Sequence, residues 1–536
     1  MKFAPTAWPW PHSESGVEDN AQAVSDPTRR TVLRGLAAVP VAAAAAGCST
    51  TESDHRPSFA SAPPAGKRPL PIPPLAKSTV TDDGTRRFDL DIRAGTTQIV
   101  AGVTTPTWGY SGAILGPTLR AKHGETVAVR VRNSLGEVTS VHWHGMHLPA
   151  IFDGGPHQPI MPGGTWTPTW TVKQPAATLW YHPHAHGTTQ RHAFRGLAGL
   201  FIIDDDDPVS RELPHDYGVD DVPLIVQDKK FTPNGNLDER DDPSAGLLGS
   251  TVTTNGIADT YLNVTTERVR LRVLNGSTVR FYNLGFDDDS EFEMIACDGG
   301  LLEAPARLRR LRLTPGERAE IIVTMRPGLT RVLRAYPFED DNGIQRSQPA
   351  ANFGLADTFD IVLLRAANTL KPRPAPPTAL AHIPPIDTNG AATRTFLFGQ
   401  VSINGATMDM QRIDVQTVVD TPEIWAVTNG VNGVHNFHVH DTRFRVIDID
   451  GQAPPPELAG WKDTVNVRPF STVRLAVRFS DYTDARWPYM YHCHLMYHED
   501  YGMMGQFLVL RPGEKPDSVI GQGGGGPHHE HGAPPR

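Results

Sequence analysis

The sequence predicts an all-β protein built from three related sandwich domains, and three observations carry that prediction. Proline and glycine are abundant, 48 and 49 of 536 residues, while β-branched and aromatic residues recur in short runs. That composition suits short strands joined by tight turns rather than long helices. Four segments, "TVAVRVRN" (126–133), "RVRLRVLNG" (268–276), "LRLTPGERAEIIV" (311–323) and "VRLAVRFSD" (473–481), alternate apolar with polar residues, as strands with one buried face do. Strands ending in Asn133, Asn275 and Asn429 are each followed by a proline turn, at Pro162, Pro315 and Pro469, which implies a triplicated unit.

From the N-terminus, residues 1–48 read as an export signal rather than as fold. "TRRTVLR" (Thr28 to Arg34) has the twin-arginine form, and "GLAAVPVAAAAAG" behind it is too short and weakly apolar to span a bilayer as a stable helix. Cys48, in "AAGCST", occupies the place of the lipidated cysteine of a bacterial lipoprotein, with simple cleavage as the alternative. Residues 49–78, rich in Pro, Ser and Ala, read as a tether. The three repeats are placed at 79–205, 206–367 and 391–512, with the Pro-rich 368–390 as a linker and the Gly/His-rich 513–536 as a flexible tail. The expected location is the cell envelope, membrane-anchored through Cys48 or else periplasmic or extracellular. A monomer is expected, and the net charge of -9 argues against a nucleic-acid partner.

With Cys48 assigned to the signal, Cys297 and Cys493 cannot form a disulfide framework, so the fold must rest on its cores. Cys297, behind apolar residues in "EMIACDGGLL", reads as a small buried side chain. Cys493, between His492 and His494 in "YHCHLMYHEDYGMM", needs another explanation.

Histidine separates the repeats. The H-x-H pattern occurs at 142/144, 182/184, 184/186, 438/440, 492/494 and 529/531, all but the last in the first and third repeats, whereas the second has only His215 at its start. A metal site built from these pairs must therefore form where the first repeat meets the third. In strands, residues two apart share a face, so the eight imidazoles of His142, His144, His182, His184, His438, His440, His492 and His494 can converge. The same parity puts Cys493 and His435 on the opposite face. Cys493, His435 and His498, with Met503 as a long axial ligand, match the His₂Cys pattern of a blue-copper electron-transfer centre. Eight imidazoles without an acid suit several coppers better than zinc or non-haem iron. His123, His147, His157, His186 and His192 are read as ordinary or supporting residues, although "HPHAH" gives His186 the parity of a further ligand.

Through "VHWHGMHLPAIFDGGPHQPI", "WYHPHAHGTTQRHAFRGLAGLFIIDDDD", "HNFHVHDTRFRV", "GWKDTV" and "YHCHLMYHEDYGMMGQFLV" the chain resembles the multicopper oxidases, and within them the bacterial copper-efflux oxidases of the cell envelope. The resemblance implies three cupredoxin-like Greek-key β-sandwich domains and four coppers. It assigns His435, Cys493, His498 and Met503 to the type 1 copper, and His142 with His438 to the type 2 copper. His144, His182 and His494 would hold one type 3 copper, and His184, His440 and His492 the other. The implied reaction is four one-electron oxidations of a phenolic or cuprous-ion reductant, with transfer through Cys493 and reduction of dioxygen to water. Asp153 and Glu499, next to ligands, are the implied proton donors; the plain alternative is that Asp153 caps a turn and Glu499 orients a histidine.

The methionine-rich insertion of the enterobacterial efflux oxidases is missing, because "RTFLFGQ" runs almost directly into "SINGATMDM". Phenolic substrates and a role in copper tolerance are therefore expected. The alternatives are a dedicated cuprous oxidase with little phenol activity, a non-catalytic envelope copper-binding protein, or a copper-free relative of the septum-associated kind. His528, His529 and His531 in the tail could collect copper.

Overall fold

The computed structural model describes residues 57–242, 245–338 and 353–521. The signal, Cys48 and the tail histidines lie outside the described residues. Within them the chain is almost wholly β, as expected, in six sheets, and its α-helices are no longer than the six residues of Thr189–Phe194. No helix among the described residues is long and apolar enough to cross a membrane.

The sheets come in pairs along the chain. In the first repeat, a sheet led by Arg86–Thr97 and Thr126–Asn133 faces one formed by Leu119–Lys122, Gly199–Asp204, Ala177–His182 and His142–His144. Phe88, Val129, Leu179 and Phe201 fill the space between them. The middle repeat pairs two six-stranded sheets around Leu271, Ile321, Leu284 and Leu364. In the last, a four-stranded sheet containing Glu423–Asn429 faces a five-stranded one containing His435–Val439 and Tyr489–His492, with Trp425, Phe437 and Phe507 between.

The three asparagines that marked the repeat occupy equivalent positions. Each ends a strand, is fully buried, and closes the following turn through its side chain. Asn133 Nδ2 donates to Glu137 O and Ile160 O, Asn275 Nδ2 to Arg280 O and Leu313 O, and Asn429 Nδ2 to Gly433 O and Val467 O. Each Oδ1 accepts the backbone N–H two residues on. A buried amide that satisfies three backbone groups cannot be exchanged for an apolar residue without leaving them unpaired.

Two segments read as flexible from composition are pinned where they are described. Arg68–Pro69 pairs in parallel with Thr260–Thr266, Phe59 bridges Ala367, and Leu75 bridges Thr118, so residues 57–78 are a strap rather than a free tether. Proline-rich sequence favours extended backbone, and extended backbone can dock on a sheet edge when its few N–H groups find carbonyls. At the other end, Asp517 N donates to Ala485 O, Gly521 N to Arg486 O, and Ile520 is buried. Cys297 is buried as expected, its thiol donating to Trp461 O at 3.0 Å.

Candidate metal centre

Eight imidazoles converge between the first and third repeats. His142 and His144 lie in one strand, His182 ends the next, and His438 and His492 lie in strands that pair directly. Strand parity explains only part of this, because His184, His440 and His494 stand just past the strand ends. Pro183 has no N–H with which to continue the ladder. Side chains replace it: His184 N donates to Ser140 Oγ at 2.9 Å and His494 N to Asn436 Oδ1 at 2.7 Å. These bonds keep the second ring of each pair on the side of the first. All eight residues are at most 1% exposed. His142 stacks on His440 and His144 on His438, each pair with centroids 3.8 Å apart, so the two repeats interlock through their histidines.

Hydrogen bonds fix which nitrogen each ring presents. A carbonyl only accepts, so the Nδ1 atoms of His142, His182, His438 and His492 carry protons toward Asp153 O, Pro183 O, Asp463 O and Cys493 O at 2.8 to 3.1 Å. His440 Nδ1 faces Asp153 Oδ2 at 2.7 Å. His144 is reversed: Nε2 donates to Asp463 Oδ1 at 3.0 Å and Nδ1 is free. Among the described residues, Nε2 of His142, His182 and His438 and both nitrogens of His494 have no hydrogen-bond partner. The Nε2 atoms of His184 and His440 each lie 3.2 Å from Nε2 of His492. At that range each pair of nitrogens must share either a proton or a metal ion.

Burial, reinforced by neighbouring imidazoles, holds His144, His182, His184, His438, His440 and His492 well below their ordinary range, and His494 down at about 3. Imidazoles with free lone pairs suit borderline metals, and three all-imidazole sets, His142/His144/His182, His142/His438/His440 and His184/His440/His492, have donor atoms within 4.8 Å of one another; a fourth set joins His144 and His438 with Asp463, and His494 falls in none of the four.

Behind this pocket lies a second donor set. Cys493 Sγ is 3.5 Å from Nδ1 of both His435 and His498, and all three are buried. Met503 is fully buried beside them, its N–H donating to His498 O and its carbonyl accepting from Cys493 N. Burial pushes the Cys493 thiol up to about 12, so the thiolate form requires a metal cation next to it. The two sites are joined covalently through His492-Cys493-His494.

Both predicted carboxylates are present. Asp153 does not cap a turn with its side chain: Oδ2 accepts from His440, and Oδ1 lies buried 3.4 Å from His142 Nδ1. Glu499 places Oε1 3.4 Å from His184 Nδ1 and Oε2 3.4 Å from His492 Nδ1, and burial, with Asp500 adding to it, raises its carboxyl well above the ordinary range. The remaining histidines stay outside both sets. His186 is exposed, His157 meets Gln506, His123 meets Gln174 O, and His192 lies against Thr139 and Glu137. His147 joins two acids, Nδ1 at 2.8 Å from Asp441 and Nε2 at 2.9 Å from Asp481.

Three supporting residues carry no signature in the H-x-H spacing. Asp463 accepts from His144 and, through its carbonyl, from His438. Arg318 grips Asp463, and Asn436 accepts from His494 N. Asp463 and Asn436 fall inside the "GWKDTV" and "HNFHVHDTRFRV" motifs, while Arg318 was marked only as part of a strand segment.

Known proteins of this arrangement share its sequence. Residues 91–208 and 376–513 each match a family described as multicopper oxidase. The chain is 34% identical over 448 residues to "Multicopper oxidase mco" of Staphylococcus haemolyticus, covering 83% of this chain and 93% of that one. It is also 35% identical over 453 residues to "Cell division protein FtsP" of Dickeya dadantii, again covering 83% and 93%. Among solved structures, a laccase from Pediococcus acidilactici superposes with a TM-score of 0.75 at 36% identity, over 83% of this chain and 94% of that one. With cupredoxin-fold relatives over most of its length and a buried histidine pocket suited to copper, the chain belongs to the multicopper oxidase family.

Proposed function

We propose that the protein couples four one-electron oxidations of a phenolic or aromatic substrate, or of cuprous ion, to the four-electron reduction of dioxygen to water, with a role in copper tolerance. The observation that carries this reading is the single covalent link, His492-Cys493-His494, between a buried His₂Cys set and a buried eight-imidazole pocket. His435, Cys493, His498 and Met503 would hold one copper, His142 with His438 a second, and His144/His182/His494 with His184/His440/His492 a pair. Bound copper would supply the one-electron chemistry at the cysteine and the oxygen chemistry among the imidazoles.

The protein's own groups orient and protonate. Asp153 holds His440 through Oδ2 and keeps Oδ1 free beside His142. Glu499, whose carboxyl burial raises well above its ordinary range, stands 3.4 Å from both His184 and His492 and would deliver a proton there. Walls of aliphatic and aromatic side chains exclude bulk water from both sites. The FtsP likeness favours no septal role, because this chain keeps all twelve donors. The test is oxygen uptake by the copper-loaded protein with a phenol and, separately, with cuprous ion. Uptake with either supports an oxidase; blue protein that consumes no oxygen with both is a copper-binding protein instead.

Export by the twin-arginine route and anchoring through Cys48 belong to the same proposal. They are motivated by "TRRTVLR" and "AAGC", and more than one acyl chain gives durable anchoring. Cys48→Ala should release the protein from the membrane fraction; equal partitioning of both forms would count against lipidation.

A further inference from the structure

We propose that Arg318, from the middle repeat that supplies no donor, is a positioning residue for the eight-imidazole site; the proposal rests on the copper-binding reading above. Arg318 is wholly buried and uses all five of its N–H donors. Nε donates to Thr178 O at 3.0 Å, in the first-repeat strand that ends at His182. One N–H of Nη1 goes to Gly316 O at 3.1 Å and one of Nη2 to Asp298 O at 2.9 Å. The other two grip Asp463 bidentately, Nη1 to Oδ1 at 2.7 Å and Nη2 to Oδ2 at 2.6 Å.

Asp463 passes this constraint to one donor of each flanking repeat. Its Oδ1 accepts from His144 Nε2 and its backbone carbonyl from His438 Nδ1, which decides that His144 presents Nδ1 and His438 presents Nε2 to the pocket. The guanidinium takes one lone pair of each Asp463 carboxylate oxygen, and Asp463 reaches the pocket through His144 and His438. Two glycines show how tightly the clamp closes. A Cβ on Gly145, next to His144 and at φ +82°, would lie 2.6 Å from Arg318 Nη2 and from Asp463 Oδ2, and one on Gly316 would press on the His494 ring at 3.1 Å. Lysine cannot substitute, since a single ammonium reaches neither both oxygens nor the three carbonyls of Thr178, Asp298 and Gly316.

The test compares wild type with Arg318→Lys, Arg318→Met and Asp463→Asn by copper content, blue absorption and the electron paramagnetic resonance of the non-blue copper. The Arg318 variants should keep the blue band while binding copper in the imidazole pocket about 10 to 100-fold more weakly, with an altered non-blue signal. Full copper with a wild-type signal in both would overturn the proposal. So would loss of the blue band in step with the rest, which marks a merely structural role. If neither Arg318 variant folds, Asp463→Asn decides: it preserves volume, should lose the same copper, and retention of all copper would overturn the clamp. A wild type that takes up no copper would sink the underlying reading instead.

Discussion

Glu499 and Asp153 show how much a single side chain decides here. Each touches rings that present donor nitrogens, yet neither has a geometry that requires it to be a ligand. Glu499→Gln keeps the shape and removes the exchangeable carboxyl proton. We expect anaerobic bleaching of the blue band by substrate to keep its rate, while reoxidation by dioxygen slows about 100-fold or more; an unchanged reoxidation rate would limit Glu499 to orientation. Asp153→Asn should slow the same step and also loosen His440. Glu499 was legible because it follows the ligand His498 in "HED", and Asp153 because "FDGGP" lies in a motif of the family resemblance. Arg318 was not, since what makes it important is a contact across more than a hundred residues of sequence, and the role of Asn436, inside "HNFHVHDTRFRV", lies in a bond to His494 that spacing does not show.

Among elements, the ends of strands matter more than their middles. Alternation foretold that H-x-H pairs face one way, but three of the pairs straddle a strand end, and side-chain acceptors such as Ser140 and Asn436 finish what the ladder begins. Composition misjudged the strap at 57–78 and the segment 513–521, because docking depends on which carbonyls an extended chain meets, not on its own residues. Between the strands Ala392–Phe398 and Val415–Val418, the chain folds into a tight turn. Phe398 and Ala406 each bridge Ile403, and Met408 N donates to Gly502 O at 2.9 Å, next to Met503. This turn carries no long insertion over His498. We therefore expect phenol oxidation without added cupric salt, checked by steady-state rates with and without it; turnover that starts only when copper is added would assign a dedicated cuprous oxidase.

At the scale of the whole molecule, eight imidazoles buried between repeats tie the assembly to pH and to metal. For the copper-free protein, His144, His182, His184, His438, His440, His492 and His494 bind protons near 6.5 when unfolded but only far lower when folded, down to about 3 for His494. Their penalty is absent above that unfolded value and grows as pH falls toward the folded ones, at about 1.4 kcal/mol per pH unit for each histidine. The melting temperature of the copper-free protein should therefore fall steeply between pH 6.5 and pH 4; a flat profile would mean that the pocket is hydrated. Copper should raise the melting temperature most at neutral pH, where the lone pairs are available. The central claim, that Cys493 links a blue copper to a separate copper cluster, is tested most directly by copper content and visible absorption of wild type and Cys493→Ser. The account predicts a blue wild type with four coppers per chain, and a colourless, inactive variant that keeps the other three. A Cys493→Ser protein that stays blue, or a wild type with a single metal, would contradict it.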